Sequence, residues 1–403
     1  MSKWDEVPLG DLMTLDVNTV EVDPAQTYDI VGVLNRGRGL LYREPMAGSA
    51  TAYKTLNRVG QSQIVYSRLK AFEGAITVAP ADLHEVYASQ EFPTFTCGPS
   101  LLPDYFRILT TTKSLWSTLQ SLSTGMGGRR ERVKPKDFLT ISIALPSLEQ
   151  QRRIVHVVDT VDKQVEILEK ETDSLRRVLR SHRAAVMESP DIAPIRADEA
   201  FSILMGRQRS PKRANGPHMT NYLRSANVGN GKLNLSDVLQ MDFDPSERER
   251  FCLQSGDILV SEGSASEKAV GMAAMWRDEL PGPVCFQNTL LRYRAVAGVS
   301  IPSFVNHWCK WAYESGLYRE VASGTNIKHI GSTRAAAMPA RIPDLAAQEM
   351  ATKLLDAIEV TVEAGQNELS SLRSVRLGIL SALLSRQIEV DIMLDRFLEE
   401  KAA

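Results

Sequence analysis

The sequence predicts an α+β fold in which two tandem globular blocks each lead into one long helix, the two helices pairing as an intramolecular coiled coil. Three observations carry this. The chain has 403 residues, too many for one compact core. Two segments align without gaps at an offset of 197 residues. A heptad stripe follows each copy. The predicted boundaries are residues 1–147 for the first block, 148–189 for its helix, 190–344 for the second block, 345–388 for its helix, and 389–403 for an acidic tail.

The duplication runs through Leu145-Pro146-Ser147-Leu148-Glu149-Gln150-Gln151 and Ile342-Pro343-Asp344-Leu345-Ala346-Ala347-Gln348. The same offset matches Asp159 with Asp356 and Ser174-Leu175-Arg176 with Ser371-Leu372-Arg373. Each copy opens a helix, because proline suits a first turn whose amides lack partners and helix formers follow. In the first copy Ile154, Val158, Val161, Val165, Leu168, Thr172, Leu175, Leu179, His182 and Val186 recur in steps of four and three. The second stripe reads Ala351, Leu355, Ile358, Val362, Gly365, Leu369, Leu372, Arg376, Ile379 and Leu383, with interruptions at Gly365 and Arg376. A heptad stripe this long, about 50 Å at roughly 1.5 Å per residue, needs a partner, and the other copy is the nearest.

Each block is of domain size and mixed in pattern. Gln63-Ile64-Val65-Tyr66-Ser67 and Asp257-Ile258-Leu259-Val260 read as strands entered from turns at Gly60 and Gly256. Leu115–Leu122 and Ser303–Ala322 read as helices. The run His307-Trp308-Cys309-Lys310-Trp311 sits in the second of these and is read as packing rather than chemistry.

Composition is that of an ordinary globular protein, 43% hydrophobic and 24% charged. The net charge of −2 excludes a histone-like global grip on nucleic acid but leaves room for a basic face. Four scattered cysteines without a C-x-x-C pair suggest neither zinc nor a disulfide framework. The acidic start and the absence of any apolar run of about 18 residues point away from export and membrane spanning, so a cytoplasmic location is expected.

Positive charge gathers in loops. Gly128–Lys136 carries five basic residues against one acidic, and Arg207–Arg213 carries four against none. Arg36-Gly37-Arg38-Gly39 and Asn326-Ile327-Lys328-His329 are smaller clusters. Guanidinium and ammonium groups neutralise phosphates, and arginine can also bind guanine through two hydrogen bonds. Solvated surface loops would give similar runs, but a basic pair in each half of a duplicated chain favours DNA. No Walker, Rossmann, aminomethyltransferase, zinc-protease or nucleophile-elbow motif occurs, so no catalytic or metal-ligating residue is expected.

Together these features resemble the DNA-specificity (S) subunits of type I restriction-modification enzymes. The resemblance rests on Leu145-Pro146-x-Leu148-Glu149-Gln150-Gln151-Arg152-Arg153-Ile154-Val155 and its counterpart from Ile342-Pro343. It also rests on Trp4-x-x-Val7-Pro8-Leu9-Gly10-Asp11-Leu12, Tyr66-Ser67-Arg68, Gly74-Ala75-Ile76, Gly256-Asp257-Ile258-Leu259 and Gln287-Asn288. The second copy departs from the pattern, with Ala346-Ala347-Gln348-Glu349 where the first has Glu149-Gln150-Gln151-Arg152.

The resemblance implies that the blocks are two target recognition domains reading the halves of a bipartite duplex site. It implies that the helices pack antiparallel in a pseudo-two-fold arrangement, set the unread spacer and dock two methyltransferase subunits, with restriction subunits joining. The chain itself would be non-catalytic and carry no cofactor; S-adenosylmethionine, ATP and magnesium would sit on the partners. The DNA-contacting candidates are Arg36, Arg38, Arg68, Arg129, Arg130 and Arg132 in the first block, and Arg207, Arg209, Lys212, Arg213, Lys328 and His329 in the second. The alternatives are a coiled-coil protein scaffold, a specificity component of a related modification or defence system, and an autonomous nicking enzyme with an unrecognised carboxylate site.

Overall fold

The computed structural model describes residues 4–123, 132–264, 266–325 and 327–388. Arg129, Arg130 and the expected acidic tail lie outside these. The chain divides into two compact units, Met1–Glu166 with Ser371–Ala403, and Ile167–Ser370. The long helices run Leu148–Met187 and Leu345–Leu384, so each contributes residues to both units. The first unit is therefore not a contiguous block of sequence, and each unit joins a globular portion to parts of both helices.

In the first unit an antiparallel four-stranded sheet places Ile76–Val78, Ile64–Tyr66, Thr94–Cys97 and Met13–Leu15 side by side. A three-stranded sheet orders Val86–Ala88, Thr55–Val59 and Asn18–Glu21. Asp5–Pro8 pairs with Ser142–Leu145, the strand that leads into the first long helix. The core gathers Ile64, Phe95, Phe106 and Phe138 against Ile154 and Val158 of one long helix and Leu380 and Leu383 of the other. Burying side chains of this size is worth about 1.5–3 kcal/mol each, enough to hold both helices on the sheet. Gln151 is fully buried. The Leu102 amide donates to its Oε1 at 2.8 Å, and its Nε2 donates to Ser100 O and Pro146 O, each at 2.9 Å.

The second unit repeats the plan. Its antiparallel sheet orders Phe201–Met205, Leu290–Ala295, Ile258–Ser261 and Ala273–Met275. A three-stranded sheet orders Leu239–Asp242, Met219–Leu223 and Val284–Phe286, the last pair parallel. Ile195–Arg196 pairs with Pro339–Ala340, ahead of the second long helix. Phe201, Tyr293, Trp308 and Tyr318 form an aromatic core beside Met187. Gln348 repeats the role of Gln151, accepting from the Ile301 amide at 3.1 Å and donating to Val299 O and Pro343 O at 2.8 Å.

Helix-to-helix contacts explain both interruptions of the second stripe. In the first unit Arg376 lies on Asp162, with Nη2 2.9 Å from Oδ2. In the second, a Cβ added to Gly365 would stand 2.6 Å from Thr172 Oγ1. The pairs Thr172–Gly365 and Arg183–Glu359 show that the helices run antiparallel there. The expected seam residues are buried or half-buried throughout: Ile154, Val158, Val161, Val165, Leu372, Ile379 and Leu383 in the first unit, Leu168, Leu175, Leu179, Leu355, Ile358, Val362 and Leu369 in the second.

Two expectations are corrected. His182 is not a seam residue: it is exposed, and Arg183 turns inward at 1% exposure because Glu314, His307 and Glu359 wait for its guanidinium. The single helix expected over Ser303–Ala322 is two, Pro302–Glu314 and Leu317–Val321, broken at Gly316, whose φ of 92° no helix accommodates.

Candidate nucleic-acid interface

In the first unit, Arg36 and Arg38 sit in the turn joining strands Val31–Val33 and Leu40–Tyr42. The turn needs Gly37, since a Cβ there would come within 2.5 Å of Thr110 O. Arg36 donates its amide to Gly74 O at 2.7 Å and lays its guanidinium 5.9 Å from the Trp116 ring centre. Arg38 is exposed, ties Nε to Asn35 O at 3.0 Å, and lines a cavity of about 560 Å³ with Tyr42, Ser62 and Arg107.

Arg68 follows strand Ile64–Tyr66 and meets Arg132 on one carboxylate, Glu91. Arg132 Nη2 donates to Glu91 Oε1 at 2.9 Å, and Arg68 Nε lies 3.8 Å from Glu91 Oε2. The segment after Arg132 is anchored on the same strand end: the Val133 amide donates to Arg68 O, and Tyr66 donates its hydroxyl to Val133 O, at 3.1 and 3.0 Å.

The second unit repeats the two-arginine arrangement on Glu247. Arg213 binds it with both terminal nitrogens, Nη2 to Oε1 at 2.8 Å and Nη1 to Oε2 at 2.5 Å. Arg207 Nε makes an ion-pair contact with Oε1 at 2.7 Å. Glu247 belongs to helix Pro245–Phe251 and forms its capping box with Asp244. Arg209 and Lys212 are exposed between these two arginines in the sequence. Lys328 and His329 lie elsewhere in the unit, in a short strand paired with Gly263–Ser264, where His329 Nδ1 contacts Glu262 Oε2 at 2.8 Å.

The structure thus groups Arg207, Arg209, Lys212 and Arg213 in one region, and Arg68 with Arg132 in another. Among the described residues no contact joins Arg36 or Arg38 to the second group. Gln287 and Asn288 contribute to the family resemblance and are not among the expected contacts. They are half-exposed beside Arg207, whose carbonyl accepts from the Asn288 amide at 3.1 Å. Gly206 makes the approach possible, since a Cβ there would fall 2.3 Å from Gln287 O. The amide-bearing Gln-Asn pair was the available signal, because such side chains match the adenine edge.

The buried polar cluster of the second unit belongs to structure. His307, Asp356 and Glu359 place ligand-type atoms within 4.8 Å of one another. Those atoms are already engaged. Arg183 Nε donates to His307 Nδ1 at 3.2 Å, His307 Nε2 meets Asp356 at 2.9 Å, and Lys310 Nζ meets Glu359 at 2.7 Å. Burial, with Arg183 beside it, pushes the His307 pKa down despite the Asp356 hydrogen bond. Burial works against ionised Asp356 and Glu359, yet their partners outweigh it and hold both carboxyls below the ordinary range. Two cations inside the cluster make it an ion-pair network rather than a cation site. Among the described residues, no helix is long and apolar enough to cross a membrane.

Comparisons with known proteins agree with this architecture. Residues 1–177 match the type I restriction modification DNA specificity domain. The chain is 24% identical over 201 residues to the type I restriction enzyme EcoKI specificity subunit of Escherichia coli (strain K12), covering 45% of this chain and 43% of that one. The match therefore spans less than half the length of that relative. Among solved structures, the type I restriction-modification S subunit from M. genitalium aligns with TM-score 0.56 at 13% identity, over 94% of this chain and 96% of that one. A chain from a structure of the type I R-M system, described for its complex assembly and conformational transition, aligns with TM-score 0.59 at 17% identity, over 95% and 98%. At such identities the structural likeness speaks for the fold, which is mixed helix and sheet. Residues 1–177 thus match the DNA specificity domain of type I restriction-modification systems, and the chain is similar to specificity (S) subunits of those systems.

Proposed function

We propose that the chain reads a bipartite duplex DNA site, one half through each globular block, and supplies no chemistry itself. One observation carries the reading: on a duplicated scaffold marked by Gln151 and Gln348, each unit sets two arginines against a single acidic side chain, Glu91 or Glu247, one of them by hydrogen bonds and the other by an ion-pair contact. Arginines beside exposed Arg209 and Lys212 suit a division of labour in which some groups hold phosphates and others address base edges. The long helices then act as an antiparallel coiled coil that sets the unread spacer and docks two methyltransferase subunits. Exposed apolar side chains on the second helix, Met350, Leu354 and Val360, support docking of a protein partner. S-adenosylmethionine, ATP and magnesium belong to the methyltransferase and restriction subunits, and the complex works in the cytoplasm.

Methylome sequencing of cells with and without the chain tests this. The expected result is a two-part adenine-methylated motif with a fixed gap, present only with the chain. Identical methylomes would overturn the reading in favour of a protein scaffold.

A further inference from the structure

The two arginines on Glu247 are held by different edges, and this separates their roles. Arg213 spends its Nη1–Nη2 edge on the carboxylate, and Nη1 also reaches Asp242 O at 3.1 Å. Arg207 meets the same carboxylate through Nε in an ion-pair contact of 2.7 Å without hydrogen-bond geometry, and among the described residues its two terminal nitrogens make no hydrogen bond. Its backbone is fixed from both sides, the amide donating to Phe286 O at 3.0 Å and the carbonyl accepting from Asn288. Glu247 is itself immobilised: its side chain is 13% exposed, and its amide donates to Asp244 Oδ1 at 2.9 Å.

A guanidinium whose Nε side lies against a carboxylate keeps its two Nη groups available as a fork, the geometry that binds O6 and N7 of guanine in the major groove. A guanidinium held by both Nη groups has its end-on fork occupied and keeps only its Nε side. Resting on the DNA-reading function proposed above, we propose that Arg207 is a guanine reader of the second block, that Glu247 is its positioning residue, and that Arg213 braces the carboxylate without touching a base. The carboxylate also offsets charge that would otherwise bind any phosphate, so it narrows choice as well as aiming the fork.

The test is selection from a random duplex pool by the full chain assembled with its methyltransferase subunits, with non-specific affinity measured in parallel over a salt series. The wild type should select a motif with a guanine in one half. Arg207→Lys, which keeps the charge and loses the fork, should lose discrimination at that guanine by roughly ten-fold or more while non-specific affinity holds. Glu247→Gln should relax the same position while non-specific affinity rises. Glu249→Gln removes the same charge from an exposed position of the same helix; it should raise non-specific affinity and leave the motif intact. Thermal melting of each variant separates misfolding from misreading.

A wild-type motif that Arg207→Lys leaves unchanged would overturn this assignment while leaving the DNA-reading function standing. Equal relaxation by Glu247→Gln and Glu249→Gln would overturn the positioning role. No motif from the wild type would sink the function itself.

Discussion

Gly365 faces Thr172 so closely that a Cβ on the glycine would lie 2.6 Å from the threonine Oγ1. Glycine inside a helix costs about 1 kcal/mol relative to alanine, so Gly365→Ala in a solvent-facing helix would stabilise it. Here overpacking opposes that gain, at about 1–3 kcal/mol. Gly365→Ala should therefore lower the urea midpoint of the full chain, and Thr172→Ala combined with it should restore the midpoint or exceed it. A single Gly365→Ala variant more stable than wild type would show that the helices do not meet here.

Stability should fall with acid through His307. Its pKa is depressed in the folded chain, so the unfolded state binds the proton more readily. The contribution is complete above the ordinary histidine value of 6.5 and is lost as pH drops from there through the lower folded value. Protonating Nδ1 would also set a second N–H against the Arg183 Nε–H, 3.2 Å away. Urea unfolding from pH 8 to 5 should show this decline, and His307→Gln should flatten it. An unchanged slope in the variant would place the acid sensitivity elsewhere.

Spacer length should follow helix length. Removing one heptad from each long helix takes away about 10 Å of rise at roughly 1.5 Å per residue. At about 3.4 Å per base pair, the unread gap should shorten by roughly three base pairs with both half-sites unchanged. Recovery of the original gap in a site selection would contradict the helices' role in spacing.

Much of this architecture was legible before folding was considered. Periodicity of apolar residues is a local property, so the helices appear in the sequence over nearly their observed spans, Leu148–Met187 and Leu345–Leu384. The offset of 197 residues that pairs Pro146 with Pro343 also pairs Gln151 with Gln348, and the two glutamines make matching hydrogen bonds.

Partnership between distant residues was not legible. Neighbouring His182 and Arg183 are both polar at a helix end, and the choice of which turns inward rests on Glu314 and Glu359 arriving from other elements. Arg207–Arg213 reads as a run of additive positive charge until Glu247 folds onto it. The repeat, the two helices and their apolar faces follow from the order of residues alone, because they depend on spacing along one stretch of chain. Folding alone settled which charges are spent on one another and which stay exposed, because ion pairing joins groups that the sequence keeps far apart.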